Sequence, residues 1–352
     1  MLYTTAADFL EQAGFSLART KIFPSHSSDA FDIEFSAVPS KIISDIKNTP
    51  LRGQISVTDQ YHLKEKILRC DTLIFNPKST LNWHIPPEVT STEYVAISTN
   101  RLVINFPNPT ISPCILSLIA PVTKANLNGR VGSQGATGWT SISDNGQPGG
   151  DGNPGETGEK GGTYNFPAAF IFFQEITLNI PNPAGSLGLR VTGAGLDGGD
   201  GGRGGTGGTG GAGARGTPGD RNCILGICAC SAGPGRGGNG GHGGPGGRGG
   251  DAGRGGNGVS IFLVGPKSEH AKLDRTEFLL KQGLPGTPGN PGQGGSGGPE
   301  GGGGSKPFEC VDGGGSGAHG NPSKNDLGSG NINTDGMEGS VFTSDRNNSD
   351  LS

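Results

Sequence analysis

The sequence predicts a mainly β protein with little α-helix: a β base, either a solenoid or an open sheet, carrying a bundle of left-handed polyglycine II helices. Three observations predict it. Glycine recurs at every third position in long phased blocks, as in "GLDGGDGGRGGTGGTGGAGARGTPGDR" (195–221) and "GRGGNGGHGGPGGRGGDAGRGGNG" (235–258). Between the blocks lie short runs rich in β-branched and aromatic residues, bounded by Pro, Asn and Gly, which read as strands. Apolar content of 31% and aromatic content of 6% are too lean for one conventional core spanning 352 residues.

The glycine period has a physical meaning. An extended left-handed helix has three residues per turn and rises about 3.1 Å per residue, so a period of three places one residue type along one edge. A bare glycine edge lets two such helices touch backbone to backbone. Their N–H and C=O groups find no partner within the helix and must bond sideways. Where two residues in three are glycine, two edges are bare, and the third carries Asp, Arg or Thr outward. Laterally bonded, the segment is rigid; unbonded, the entropy of glycine leaves it without fixed structure. The packing glycines are Gly195, Gly198, Gly201, Gly204, Gly207 and Gly210 in one rod, and Gly235, Gly238, Gly241, Gly244, Gly247 and Gly250 in the next. A three-chain collagen helix also uses Gly-X-Y, and "GLPGTPGNP" favours it, but broken blocks and many Gly-Gly-X triplets oppose it. A flexible linker needs no strict phase.

In chain order, residues 1–19 read as an N-terminal helix, with Thr5 to Asp8 as a capping box and Phe9, Leu10 and Ala13 on one face. This is the best helix candidate of the chain. Residues 20–128 form the β base, with "DTLIFN", "YVAIST", "RLVINF" and "CILSLIAPV" as strands. Residues 129–322 form the glycine bundle, interleaved with returning strands at 164–193 and 259–282. A short helix is expected over "SEHAKLDRTEFLLKQG", and 323–352 is a polar, loop-like tail that includes "VFTS". "LVINFPNP" (102–109) and "ITLNIPNP" (176–183) share a signature that suggests repeated strand-turn units.

Each glycine excursion leaves a strand, is interrupted near its middle and returns to a strand, which implies hairpins of rods. The interruptions are "SISDN", "NCILGICACSAGP" and "PFECVD". The rods 195–221 and 235–258 would reach about 84 and 74 Å, near-equal lengths as a hairpin requires.

Residues 195–258 resemble the glycine-rich regions of known polyglycine II proteins. "GLDGGDGGRGGTGG" and "GGRGGDAGRGGNGVSIFLV" are similar in texture to the glycine-helix domain of Obg-type GTPases, where such rods feed into strands. The chain shows no G-x-x-x-x-G-K-[ST] segment, so nucleotide chemistry is not implied. Rods alternating with short connectors also resemble the receptor-binding tips of phage long tail fibres, whose glycine lattices display variable loops. The resemblance covers about a third of the chain, is largely compositional, and names no catalytic residue.

Cys223, Cys228 and Cys230 sit at the tip of the second hairpin, and Cys310 follows the outward rod of the third. A structural four-cysteine cluster at the tips is therefore expected, as two disulfides in preference to free thiols or to a tetrahedral zinc site, for which C-x4-C-x-C is a poor match. Cys70 and Cys114 lie in strand-like segments and read as buried small apolar residues. The six histidines do not cluster in sequence. Arg203, Arg236, Arg248 and Arg254, with Asp200 and Asp251, read as a solubilising rim of mixed charge.

Net charge of −4, with both signs mixed, gives no footprint for nucleic acid or an anionic membrane. No apolar run approaches membrane-spanning length, and the N-terminal segment lacks the features of a cleaved secretion signal. Acidic residues Asp71, Glu88, Glu93 and Glu175 are scattered, and no nucleophile elbow is present. The expectation is a non-enzymatic structural or adhesive protein without cofactor or metal, outside the cell, on a cell surface or on a virion. Its partners would be a surface glycan, a protein receptor or other subunits. A polysaccharide-active enzyme on the β base and a trimeric collagen-like stalk are the competing readings.

Overall fold

The computed structural model describes residues 23–24, 31–34, 38–105, 113–134, 148–179, 188–224, 227–273, 276–306, 315–323 and 328–345. The chain is mainly β. In order it forms β1 (Phe23–Pro24), β2 (Phe31–Glu34), α1 (Ser40–Asn48), β3 (Arg52–Val57), β4 (Gln60–Leu63), β5 (Ile67–Phe75) and β6 (Thr80–His84). There follow β7 (Tyr94–Asn105), β8 (Cys114–Ile119), the single turn α2 (Lys124–Leu127), β9 (Ala168–Phe172), β10 (Glu175–Asn179) and β11 (Leu189–Thr192). The rest are β12 (Asp220–Ile224), β13 (Ile227–Ala232), β14 (Ile261–Gly265), α3 (Lys267–His270), a 3-10 turn (Ala271–Leu273), β15 (Thr276–Leu279) and β16 (Val341–Asp345).

Two sheets make the base. The larger runs β1-β2-β16-β14-β9-β7-β5-β3, with β10 also on β7; the smaller runs β15-β11-β8-β6-β4. From β3 to β8 the chain alternates between the sheets, and each new strand adds in parallel to the previous strand of its own sheet. The long β7 takes β9 along Tyr94–Ser98 and β10 along Arg101–Asn105. The recurring signature is thereby in register: Leu102 faces Ile176, Ile104 faces Leu178, and Asn105 faces Asn179. Their side chains continue as a ladder, Asn179 Nδ2 donating to Asn105 Oδ1 at 2.8 Å and Asn105 Nδ2 to Asn76 Oδ1 at 3.2 Å.

Alternate residues of the larger sheet serve two cores. Ile55, Val57, Leu73, Phe75, Leu102 and Ile104 face the smaller sheet, meeting Leu81, Trp83, Leu116 and Val191. The opposite face carries Tyr94, Phe170, Phe172, Phe262, Val264 and Phe342 under Ile42 and Ile46 of α1. Strands β9 and β14 are buried on both sides, which explains their unbroken apolar runs "AAFIF" and "IFLV". In-register pairing of Phe170, Phe262 and Phe342 stacks their rings at 4.5 and 4.6 Å.

Two helix expectations are corrected. Helix α1 was not anticipated, although Ile42 and Ile46 stand four apart behind Pro39; the N-terminal candidate 1–19 lies outside the described residues. The expected helix over 268–283 stops at Leu273, and Thr276–Leu279 is a strand paired in parallel with β11. Phe278 and Leu279 follow sheet pairing rather than helical period, because β11 offers a full row of backbone partners.

The three glycine excursions leave the smaller sheet after β8, β11 and β15 and enter the larger sheet at β9, β14 and β16. Their outgoing segments are 129–134, 195–219 and 283–305; their returning segments are 148–163, 235–258 and, of the third, 315–323 with 328–339. Backbone bonds between segments recur every three residues. Gly198, Gly201 and Gly204 N–H donate to Leu284, Thr287 and Asn290 C=O at 2.8, 2.8 and 2.9 Å. Gly199, Gly202 and Gly205 donate to the first returning segment, at Gly162, Glu159 and Glu156. Gly241, Gly244, Gly247 and Gly250 donate back to Gly211, Gly208, Gly205 and Gly202. The tail is part of this array: Gly330, Gly336 and Gly339 donate to Gly289, Gly283 and Leu280.

Candidate functional site

Of the twelve packing glycines named from sequence, Gly195, Gly198, Gly201, Gly204, Gly207 and Gly210 would each drive a Cβ into a backbone carbonyl of the second returning segment. Gly241, Gly244, Gly247 and Gly250 would do the same against the first returning segment. Gly235 and Gly238 donate to Thr217 and Ala214 C=O at 2.9 and 2.8 Å. Among the described glycines only Gly328, at φ 72°, needs the left-handed region. The period of three therefore reflects close approach, not unusual backbone angles.

Arg203 and Arg236 of the charged rim are exposed, whereas Asp200, Asp251, Arg248 and Arg254 also bond neighbouring segments. Asp200 Oδ1 accepts both the N–H and the hydroxyl of Thr287 at 2.8 Å, and Asp197 Oδ1 accepts Leu284 N–H at 2.9 Å. Asp251 Oδ1 accepts Asn331 N–H at 2.7 Å, and Asn257 Oδ1 accepts Met337 N–H at 2.9 Å. Arg248 and Arg254 donate through Nε to the Ser329 and Asp335 carbonyls at 3.4 and 3.1 Å. The Asp and Asn side chains complete the array where glycine spacing leaves an N–H facing outward, and the two arginines do so where it leaves a carbonyl. His242 belongs to the same scheme: its N–H donates to Asp151 Oδ1 at 2.7 Å, and its Nδ1 accepts Asn321 N–H at 3.1 Å. Sequence reasoning missed the role because the link joins residues some eighty positions apart; the signal was Asp and Asn recurring in the non-glycine triplet slots.

At the far end of the second excursion, the interruption read from sequence is an antiparallel hairpin of β12 and β13. Every residue of β12 is exposed, Ile224 at 68%. Cys223 faces Cys228 across the hairpin and the two form a disulfide, with Cα atoms 4.0 Å apart. This bond closes one tip upon itself, and Cys230 is disulfide-bonded as well. Cys230 faces Arg221 on the same hairpin, and Cys310 lies outside the described residues. Cys70 and Cys114 are free and buried, and burial pushes both thiols up.

The base brings together two histidines far apart in sequence. His62 Nδ1 and His84 Nε2 are 2.8 Å apart with rings stacked at 5.1 Å, on neighbouring strands β4 and β6. Partial burial, with His62 beside it, pushes the His84 imidazole below its ordinary value. The scattered carboxylates have local partners: Glu175 with Arg101 at 3.3 Å, Glu93 with Lys66 at 3.0 Å, and Asp71 with Asn100 Nδ2 at 2.9 Å. Among the described residues, no group of three or more His, Cys, Asp or Glu is placed to hold a metal. No described helix is long and apolar enough to cross a membrane.

No family model matches the sequence, and none of the curated proteins compared matches it. A solved springtail antifreeze protein from Granisotoma rainieri, a nine polyproline type II helical bundle, aligns at 22% identity over 54% of this chain and 94% of its own. The TM-score is 0.09, a likeness that carries no argument.

Proposed function

We propose that the chain is a non-enzymatic structural or adhesive protein, at the surface of a cell or virion, that presents connector hairpins on stiff glycine rods. In this reading the two sheets are the faces of a β-solenoid, each turn giving one strand to either sheet, and the excursions form one polyglycine II bundle. The observation that carries it is the array of sideways backbone bonds at a period of three, ending in an exposed disulfide-closed hairpin. That period matches the pitch of an extended left-handed helix. Lateral bonds to several neighbours give each rod the stiffness that a lone glycine segment lacks.

The partner is a surface glycan or a protein receptor met by residues 220–232, where Asn222 and Ile224 are exposed. The test replaces 220–232 by a Gly-Asn-Gly turn and compares both proteins on a glycan array and on intact cells. Loss of binding with an unchanged circular-dichroism spectrum is expected. Binding that survives the replacement would place the contact elsewhere and remove the display role.

A further inference from the structure

The outgoing and returning segments form two rows, and in each row the N–H groups point one way. In the outgoing row, Gly198, Gly201 and Gly204 donate forward to the last segment. The matching positions of that last segment are Pro285, Pro288 and Pro291, which have no N–H to offer. Five of its other donors there are used: Gly283, Gly286 and Gly289 bond Gly256, Gly253 and Gly250, while Leu284 and Thr287 bond Asp197 and Asp200. Proline seals this edge over residues 285–291.

The returning row ends differently. Gly249, Ala252, Gly255 and Gly258 donate forward to Gly328, Asn331, Thr334 and Met337 C=O at 3.2, 2.9, 3.1 and 2.8 Å. One residue further on, Ser329, Ile332, Asp335 and Glu338 hold the matching positions of the last segment. All four are exposed, Ile332 at 78%, and among the described residues their N–H groups donate no hydrogen bond. Arg248 and Arg254 hold the carbonyls of Ser329 and Asp335, so the strip is fixed before any partner arrives.

We propose that residues 329–338 are a docking strip for one extended strand of another protein, with glycine at every third residue, which adds to the returning row as its next member. Donors three residues apart repeat at about 9.3 Å, the rise of one turn of an extended left-handed helix. The glycine requirement follows from the row itself. Gly320, Gly330 and Gly336 face the preceding segment, and a Cβ on any of them would strike the carbonyl of Gly241, Gly250 or Gly256. A second copy of this chain does not fit. Its own first returning segment enters β9, so continuing the row would put its β9 where β2 lies and its β7 where β16 lies. The principle is that of strand addition to an open sheet edge, transferred to a glycine lattice.

The proposal rests on reading the segments as one rigid bundle, so the experiment separates the two. The probe is a fluorescein-labelled peptide of residues 235–250, titrated by anisotropy into the full chain and into the triple variant Ser329→Pro, Ile332→Pro, Asp335→Pro. Proline removes each N–H while keeping an extended backbone. Binding to the parent chain, weakened roughly tenfold or more in the variant, is expected, as is no binding of a peptide with alanine at every third glycine. Equal binding to both chains, no binding up to about 1 mM, or proline-sensitive self-association of the parent would overturn the strip. Hydrogen exchange on the same samples reports the bundle: unprotected amides at 195–258 sink the bundle, whereas protected amides without peptide binding sink only the strip. A variant that loses this protection is replaced by Ile332→Pro alone, read the same way.

Discussion

Asp200 reaches across to the next glycine segment and takes two hydrogen bonds from Thr287 through one carboxylate oxygen, one from the main-chain N–H and one from the hydroxyl. Lys124 Nζ stands 3.2 Å from the same oxygen. These bonds, that from the Thr287 N–H first, hold the Asp200 carboxyl below the usual carboxylate range against the opposing effect of burial. A depressed folded value means the contribution is complete above about pH 4 and is lost as pH falls through the folded value. Asp200→Ala should cost about 0.5–1 kcal/mol at pH 7, discounted for exposure. It should also make the acid limb of the melting temperature shallower. Identical acid limbs for parent and variant would show that the bond contributes nothing to folding.

Gly207 and Gly302 separate two uses of glycine. A Cβ at Gly207 meets the Gly244 carbonyl, whereas a Cβ at Gly302 meets nothing within 4 Å. Gly207→Ala should destabilise by about 1–3 kcal/mol or more, and Gly302→Ala should stay within about 0.5 kcal/mol of the parent. Equal melting temperatures for the two variants would argue against tight backbone contact in solution.

Phe262 lies between Phe170 and Phe342 with no exposure to solvent. Phe262→Ala should cost about 3–5 kcal/mol. Phe262→Leu keeps most of the apolar volume and loses the ring stacking, worth roughly 0.5–1.5 kcal/mol per pair. Denaturant unfolding distinguishes them, and a Leu variant as unstable as the Ala variant would make stacking the main term.

The disulfide between Cys223 and Cys228 closes a loop of sequence separation 5 on an exposed hairpin. Cys223→Ser with Cys228→Ser should raise amide exchange within 220–232 and leave the global melting temperature nearly unchanged. A large fall in melting temperature would mean that the tip supports the rods.

How far the sequence foretold the structure depended on whether a signal was local. "AAFIF", "IFLV" and "VFTS" announce their strands by composition, and the glycine phase marks the close approaches in advance. Helix α1 shows only Ile42 and Ile46 as an apolar stripe, and its burial comes from Tyr94, Phe170 and Phe262, which are distant in sequence. Thr276–Leu279 looked helical because its neighbours in the sheet, residues 189–192, cannot be read from its own sequence. The same holds for the His62–His84 contact and for Asp200 with Thr287. Each is created by stacking one turn of chain upon another, and no short window contains both partners.

The pairing of β2 with β16 bears on the order of folding. The two strands lie far apart in the sequence, paired at Asp32 with Val341 and Ile33 with Phe342. Contacts so distant along the chain form slowly. The short-range pairings from β3 onward are therefore expected to form first, and the pairing of β2 with β16 to close the sheet last. Until that moment the growing edge stays open, and chaperone binding or aggregation would concentrate there.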